Sequence, residues 1–380
     1  MKRWLLVLSL FASAAFAQDA YVLGLSGALT GPNASVYAPV VEGMKLYIDT
    51  LNARGGINGR QVRLLIQDNS GEPSKAAADV KRFLSQDNVA MVINTSLSST
   101  YAPMVSETRR ARVPLLFAGA VCPKDVYPPA DELQFCTTAF TPGYDTRMAL
   151  ALVKDMAKDT VRIGFAGMAI PISRAEMEYA AGLAKQMNMT AVETQISPPP
   201  APDYTPFATR LKEADPNFVY AWSPWVSEVK TFEALRRIGW QGTYVTIAHI
   251  PAEEELPRLK DPGFIVFGAN SLFQDNQPGH RDIREAAKKA KLSYSVEQQA
   301  EGWIAGIVIE QALKNAGWPV SPEKLVASMN QLTVDLKGLR DGGIEWTKDN
   351  HFRSRQSYRA YRWDPAKNSI VRIRDWTPIK

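Results

Sequence analysis

The sequence predicts an α/β protein built from two lobes, each organised around a parallel β-sheet. Two observations predict the sheets: short apolar runs alternate with helix-like segments from residue 21 onward, and the same alternation restarts after Cys136. Such alternation is typical of parallel sheets with right-handed crossovers. The third observation is length, because 380 residues with 46% hydrophobic side chains are enough for two domains of ordinary size.

In the first half of the chain, three strand-helix units are followed by a fourth strand. The first helix carries apolar residues such as Val40, Met44 and Leu51 on one stripe with a period of 3.6 residues. Gly55 and Gly56 end that helix with residues suited to left-handed conformations. The predicted strands are 21–26, 62–66, 89–93 and 113–117, and the predicted helices are 35–53, 74–85 and 98–111.

In the second half, a parallel sheet is again predicted, and helices dominate after its last strand. A proline-rich stretch, 197–202, is typical of a surface loop. The tail, from 344 through 358–361 and 370–373, reads as strands and turns that do not form an independent domain. The other predicted strands are 161–167, 191–196, 218–222, 244–247 and 264–267, and the helices are 145–157, 174–187, 207–211, 226–238, 281–291, 297–316 and 322–329.

The first 17 residues have the layout of a cleaved secretory signal. Lys2 and Arg3 precede an apolar run, 4–10, and an Ala-Phe-Ala end at 15–17 precedes Gln18. A membrane anchor is disfavoured because the apolar part is too short to cross a bilayer, and the segment holds no cysteine for a lipid. We therefore expect the mature chain to begin at Gln18 and to be periplasmic.

Charge and cysteine content narrow the function classes. The formal charge falls from +5 to +3 without Lys2 and Arg3, and the scattered basic residues do not indicate a nucleic-acid-binding surface. Cys122 and Cys136 are the only cysteines. Export to an oxidising compartment favours a disulfide between them, worth about 3 kcal/mol in the chain-entropy model, and two separate buried thiols are the alternative.

A run rich in hydroxyl side chains, residues 94–101, follows the predicted strand 89–93 and is called here the hydroxyl loop. If the next helix begins near Ser98, backbone N–H groups and hydroxyls converge at its N-terminus, which favours an anion. The alternative is that Ser98 or Ser99 only caps the helix, as serine often does without a ligand.

The loops that follow the predicted strands indicate where a ligand would bind. In open parallel sheets, ligands lie beyond the carboxyl ends of the strands, and two such sheets facing one another form a cleft. We therefore expect the pocket between the lobes. The loops that can converge there begin at Ser26, Asn94, Ala118, Gly167, Trp222 and Ala248.

Four motifs occur in a fairly specific order and spacing. They are Leu-Thr-Gly-Pro at 29–32, Asn-Ala-Arg-Gly-Gly-Ile-Asn-Gly at 52–59, the loop 68–73, and the hydroxyl loop followed by Val-Pro-Leu-Leu at 113–116. Together they resemble the periplasmic solute-binding proteins of branched-chain amino-acid type ABC importers, which have the type I periplasmic-binding fold. The resemblance covers essentially the whole mature chain.

The resemblance implies two lobes joined by a three-crossover hinge. The crossovers are expected near 137–140, 268–273 and 345–355. The first lobe would then comprise 18–138 plus 271–347, and the second lobe 139–270 plus 348–380.

The resemblance also implies how the ligand is held. In such proteins a serine of the hydroxyl loop and the backbone after the next strand bind the ligand's carboxylate. Ser98 matches that serine, and Gly119, Ala120 and Val121 match the backbone segment. Neutral donors of this kind stabilise an anion without a buried countercharge.

Three positions depart from the pattern of amino-acid binders. Val121 replaces the usual threonine, Ile172 replaces a tyrosine often found in the second lobe, and His249 stands where an acidic residue usually holds the ligand's ammonium group. An ammonium group without a carboxylate partner in a closed cleft is costly. We therefore expect a small carboxylate that lacks this group, and branched-chain amino-acid or amide binding is the alternative.

Side chains of the expected cleft have two interpretations. Tyr37, Tyr101, Trp222 and Trp225 are candidate walls for an aromatic acid, or they are ordinary core residues. His249 is a loop histidine held by hydrogen bonds, or it lines the cleft, where its protonation would strengthen anion binding at mildly acid pH.

The resemblance implies a monomeric binding protein with a small-molecule ligand, a membrane permease as partner and no cofactor. An exported enzyme is an alternative, but the sequence has no Gly-x-Ser-x-Gly, Gly-x-Gly-x-x-Gly or phosphate-binding motif. His249, His280 and His351 are too far apart for a local metal motif. A ligand-sensing module of a signalling system shares the fold and stays open.

Overall fold

The computed structural model describes residues 20–199, 201–247 and 251–379. The predicted signal segment, 1–17, lies outside these residues. Within the described ranges no helix is long and apolar enough to cross a membrane, and no group of three or more His, Cys, Asp or Glu side chains could hold a metal ion.

The first lobe contains a five-stranded sheet in which all neighbouring strands are parallel. Its elements are β1 (Tyr21–Gly27), α1 (Ala34–Ala53), β2 (Val62–Asp68), α2 (Pro73–Ser85), β3 (Met91–Thr95), α3 (Tyr101–Ala111), β4 (Leu115–Phe117) and β5 (Gln134–Cys136). The strand order is β2-β1-β3-β4-β5. All five strands run the same way, so the loops that follow β1, β3 and β4 emerge at one edge of the sheet.

The middle of the chain builds the second lobe with the same alternation. Its elements are α4 (Tyr144–Met156), β6 (Arg162–Met168), α5 (Pro171–Gln186), β7 (Thr190–Ser197), α6 (Thr205–Glu213), β8 (Phe218–Trp222), α7 (Trp225–Arg237), β9 (Thr243–Thr246), α8 (Ala252–Leu259) and β10 (Phe264–Gly268). The five strands β6 to β10 pair in parallel. The predicted α/β architecture with two lobes is therefore confirmed.

The chain then returns to the first lobe before it ends in the second. The returning elements are α9 (Pro278–Ala287), α10 (Ala300–Ala316), α11 (Pro322–Met329), β11 (Thr333–Val334) and β12 (Ile344–Glu345), and the final ones are β13 (Ser357–Asp364) and β14 (Ser369–Pro378). β13 pairs antiparallel with β10 and with β14, so the second sheet has the order β14-β13-β10-β9-β8-β6-β7. The chain thus passes between the lobes three times.

Helix α10 packs closely against α1 in the first lobe. A Cβ atom on Gly302 would lie 1.9 Å from the carbonyl oxygen of Val40, so only glycine permits this approach. Met44 of α1 and Ile304 of α10 are fully buried in the same core as strand β1. This contact fixes the returning segment to the first lobe.

A buried arginine joins two of the passages between the lobes. The Arg340 side chain donates from Nε to Oδ1 of Asn270 at 2.8 Å and from Nη1 to the carbonyl oxygen of Thr137 at 2.7 Å. Its Nη2 lies 3.1 Å from Oε1 of Glu301, with both side chains buried. Thr137 follows β5 and Asn270 follows β10, so one guanidinium links both connections. The predicted lobe boundaries at 138 and 270 stay a prediction.

Several elements differ from the sequence expectation. Strand β5 was not predicted because it has only three residues. Helix α8 was not predicted because three glutamates in its first turn and Pro257 inside it obscure the apolar pattern of its sequence. Helix α9 begins three residues earlier than predicted, because Pro278 fits the first turn and Gln277 and His280 form a capping box.

Cys122 and Cys136 lie side by side in the first lobe. Their sulfur atoms are 2.04 Å apart, which is bonding distance, and their Cα atoms are 5.7 Å apart. The bond joins the end of β5 to the segment that follows β4. It therefore closes the loop 122–136 and anchors the chain directly after residues 119–121.

Candidate ligand-binding site

A cavity with about 570 Å³ of empty space, part of it open to solvent, lies between the two lobes. Its walls come from segments that follow the carboxyl ends of β1, β3, β4, β6, β8 and β9. Seven residues predicted from the sequence line it: Tyr37, Ser98, Tyr101, Gly119, Val121, Trp222 and Trp225. Eight more line it that were not predicted as site residues: Val36, Phe140, Ile170, Ile172, Ser223, Pro224, Glu228 and Ile247.

Ser98 lies in a short helical turn between β3 and α3. Residues 98–100 form a 3₁₀ turn, and α3 begins only at Tyr101, three residues later than predicted. The N-cap residue of the 3₁₀ turn is Leu97 and that of α3 is Thr100, and neither makes a side-chain capping hydrogen bond. The interpretation of Ser98 or Ser99 as a helix cap is therefore wrong. The Ser98 hydroxyl instead accepts a long, 3.5 Å hydrogen bond from the backbone N–H of Ile172 in the second lobe.

The segment 119–121 lies beside Ser98 at the cavity. Gly119 has φ +67°, and a Cβ atom there would lie 2.6 Å from the side chain of Val40, so glycine is required. None of the N–H groups of Gly119, Ala120 and Val121 donates to another described residue.

Two of these three residues line the cavity itself. Gly119 and Val121 do, whereas the side chain of Ala120 points into the core formed with Phe117 and Val126. The carbonyl oxygen of Val121 accepts a 2.7 Å hydrogen bond from the Tyr101 hydroxyl, which fixes the segment in place.

The four predicted aromatic residues line the cavity and also pack in hydrophobic cores. Trp222 is 1% exposed, and its indole N–H donates to Oδ2 of Asp145 at 2.9 Å. The Tyr101 ring packs on Phe117 with ring centres 4.7 Å apart. The indole N–H of half-buried Trp225 has no partner within the described residues. Each of these rings is therefore both part of the cavity wall and part of a hydrophobic core.

A buried glutamate lines the cavity from the second lobe. Glu228 is 1% exposed and lies in the first turn of α7, where its Oε1 accepts a 3.0 Å hydrogen bond from the N–H of Ser223. Its Oε2 has no partner among the described residues. Burial raises the pKa of this carboxyl to about 8, although the hydrogen bond from Ser223 opposes the shift.

Glu228 corrects the view that the cleft lacks an acidic side chain. That view followed from His249, which stands at the usual acidic position and lies outside the described residues, as do its neighbours 248 and 250. Only the distance of three residues from Trp225 could have pointed to Glu228, because positions i and i+3 share a helix face. Glutamates at such positions are common on exposed helix faces, so no feature of the sequence distinguishes Glu228 from them.

The lobes touch each other around the cavity. Val36, Tyr37 and Leu97 of the first lobe form a buried apolar cluster with Met168 and Ile170 of the second lobe. Together with the bond between Ser98 and Ile172, this cluster shows a closed arrangement of the cleft.

Comparison with known proteins places this architecture in a family. A sequence model of the family described as periplasmic binding protein matches residues 21–368. The chain is 22% identical over 368 residues to a leucine-, isoleucine-, valine-, threonine- and alanine-binding protein of Pseudomonas aeruginosa, which covers 89% of this chain and 93% of that protein. A second protein of P. aeruginosa, named an amino acid binding protein, is 31% identical over 103 residues, which is 27% of this chain and only 28% of the relative's length.

Solved structures share the fold at low sequence identity. A solute-binding protein of an R. palustris ABC transporter, in complex with 4-hydroxybenzoate, superimposes with a TM-score of 0.77 at 17% identity, covering 95% of this chain and 97% of that one. A branched-chain amino-acid ABC transporter protein of Thermus thermophilus with bound valine gives a TM-score of 0.80 at 17% identity, covering 95% and 97%. These structures show a shared fold.

Proposed function

Because this chain belongs to the periplasmic binding protein family, we propose that it is the solute-binding protein of an ABC importer and captures a small carboxylate between its lobes. The proposal is supported above all by the donors beside the cavity: the Ser98 hydroxyl and the unpaired N–H groups of residues 119–121. Several neutral donors aimed at one place bind an anion without a buried cation.

The ligand's body is apolar and, on this proposal, aromatic. Tyr37, Tyr101, Trp222 and Trp225 supply ring surface at the cavity, and most other lining residues are aliphatic. The R. palustris protein of the same fold holds 4-hydroxybenzoate, and we extend this class of ligand to the present chain.

The second candidate is a branched-chain amino acid. It is favoured by Glu228, whose carboxyl could ionise and pair with an ammonium group, and by the names of the relatives. A neutral Glu228 suits an acid without an ammonium group better, because no charge then has to be buried on the second-lobe side.

Delivery to a membrane permease in the periplasm, a monomeric state and the absence of turnover complete the proposal. A sensing role would use the same cavity and would differ only in the partner that recognises the closed lobes. Recovery of the bound acid unchanged after incubation with the pure protein would exclude catalysis.

A ligand panel tests the proposed function. The purified protein is heated with benzoate, 4-hydroxybenzoate, phenylacetate, 4-hydroxyphenylacetate, 4-methylpentanoate, 4-methyl-2-oxopentanoate, leucine and valine. A ligand at 100 times its Kd stabilises the folded state by about 2.7 kcal/mol, which raises Tm measurably. We expect the aromatic acids to raise Tm most, and a rise with leucine or valine alone would contradict the proposal.

A further inference from the structure

Glu228 has a feature that carboxylate capture does not use. Glu228 lines the cavity, and its Oε1 accepts a hydrogen bond from the N–H of Ser223. Its other oxygen, Oε2, is buried and has no partner among the residues that the structure describes. Buried polar atoms in folded proteins are nearly always hydrogen-bonded, so an unpaired one at a ligand cavity indicates a ligand atom.

A second unpaired atom lies on the same turn of α7. The indole Nε1 of Trp225 is buried and has no partner within the described residues. Trp225 and Glu228 are three residues apart, so both side chains lie on one face of the helix, and both line the cavity. The second-lobe side thus offers two polar atoms on one helix face, whereas the proposed carboxylate donors belong to the first lobe.

We propose that Glu228, assisted by Trp225, hydrogen-bonds to a hydroxyl group of the ligand and thereby selects hydroxylated acids over their unsubstituted parents. This inference rests on the proposed function, since it assumes that the ligand's carboxylate is held by Ser98 and residues 119–121.

A hydroxyl group matches these two atoms better than a hydrogen atom or a methyl group in the same place. The indole N–H is a donor only, and a protonated carboxyl donates from Oε2, so the ligand must offer an acceptor oxygen. Burial raises the pKa of Glu228 to about 8, which leaves a proton on this carboxyl at neutral pH. A hydroxyl oxygen accepts such a bond and can donate in return, whereas a methyl group would leave both protein atoms unpaired.

Calorimetry on matched ligands tests the inference on the whole mature protein. The probes are 4-hydroxyphenylacetate, phenylacetate and 4-methylphenylacetate, in which the methyl group fills the space of the hydroxyl without a hydrogen bond. We expect the wild type to bind the hydroxylated acid at least about tenfold more tightly than either analogue. Glu228→Met should abolish that preference, and Glu228→Gln, which retains a donor at this position, should keep most of it.

Ser98→Ala is the matched control on the first-lobe side. It should weaken all three probes by the same factor and leave their ratio unchanged. If Glu228→Met fails to fold, the affinities of the wild type for 4-hydroxyphenylacetate and 4-methylphenylacetate still test the preference for a hydroxyl group.

Each other outcome overturns a defined statement. Equal affinities for the three probes, or a preference that survives Glu228→Met, would overturn the role of Glu228 and leave carboxylate capture intact. Binding of none of the acids would overturn the proposed function together with this inference. Binding of leucine that Glu228→Gln abolishes would assign Glu228 to an ammonium group and overturn its role toward a hydroxyl.

Discussion

The two sides of the cavity use opposite means to handle a polar ligand. On the first-lobe side, Ser98 and residues 119–121 offer neutral donors on loops, and nothing charged lines the wall. On the second-lobe side, an ionisable carboxyl, Glu228, is buried in the first turn of a helix. On the proposed function, binding by the first side should not depend on pH in the ordinary range, whereas the second side should change its chemistry with one proton.

The two sides also differ in the structural cost of their polar groups. The first-lobe side is held by a short backbone segment that glycine and a disulfide fix in place. The second-lobe side keeps a carboxyl at a cost, because burial disfavours its charged form. On the proposed function, we therefore expect mutations to separate selection of the acid group from selection of the rest of the ligand.

Glu228→Gln, which removes the titratable carboxyl of the second-lobe side, is expected to have the largest effect on the free energy of unfolding. A carboxyl whose pKa is about 8 in the folded protein and about 4.5 unfolded keeps its proton longer when folded. The wild type should therefore lose stability relative to the variant as pH rises through this window, by up to about 4 kcal/mol. Urea unfolding of both proteins at pH 4, 6 and 8 measures the difference.

The exposed Glu178→Gln substitution in the same lobe is the control for this experiment. It removes one carboxyl from the surface and should leave the dependence of stability on pH nearly unchanged. A constant difference between wild type and Glu228→Gln from pH 4 to 8 would show that Glu228 is not held in its protonated form.

The next effect is expected on the first-lobe side, from Gly119→Ala. An alanine at φ +67° costs about 1–2 kcal/mol, and its Cβ would also collide with Val40, so we expect a loss near 3 kcal/mol and displaced N–H donors. Gly59→Ala is the control, because Gly59 also has positive φ but its Cβ would meet nothing within 4 Å. Equal losses in the two variants, measured by thermal unfolding, would contradict the tight fit at Gly119.

Ser98→Ala should weaken binding of aromatic acids by about 1 to 3 kcal/mol, because a charged acceptor loses one hydrogen bond. The free energy of unfolding should change little, since Ser98 makes only one long contact within the described residues. Calorimetric titration gives the affinity. An unchanged Kd would remove Ser98 from the site, and the neighbouring Ser99→Ala should be close to neutral.

The smallest effect is expected from Tyr101→Phe, which removes the hydroxyl that holds the carbonyl of Val121. We expect a loss of about 1 kcal/mol in stability and a slightly larger loss in affinity, because residues 119–121 become less well fixed. Binding that weakens more than in Ser98→Ala would mean that the backbone segment matters more than the serine.

Sequence reasoning predicted most of the fold and one side of the site. Strand β8 and helix α11 have the predicted bounds: a short apolar run between Asn217 and Ser223 marks β8, and Ser321 followed by Pro322 marks the start of α11. The predicted family is confirmed by the match to residues 21–368. Ser98, Gly119 and Val121 line one cavity as the family resemblance implied, and their role in binding stays a prediction.

The second-lobe side could not be predicted in the same way. Glu228 is recognisable only from its burial and its unpaired oxygen, which are properties of the packed structure. The expectation about His249 relied on an alignment in a loop, and residues 248–250 are not described. The short strand β5 was not predicted, because three residues are too few to show an alternating pattern.

The Arg340 guanidinium bonded to both Thr137 and Asn270 has a consequence for how opening can be observed. The guanidinium is planar and joins two of the three connections between the lobes, so we expect these two connections to move together. One dominant rotation between the lobes is then expected. A single pair of spectroscopic labels, one on each lobe, should follow the whole motion, and a second pair should report the same time course.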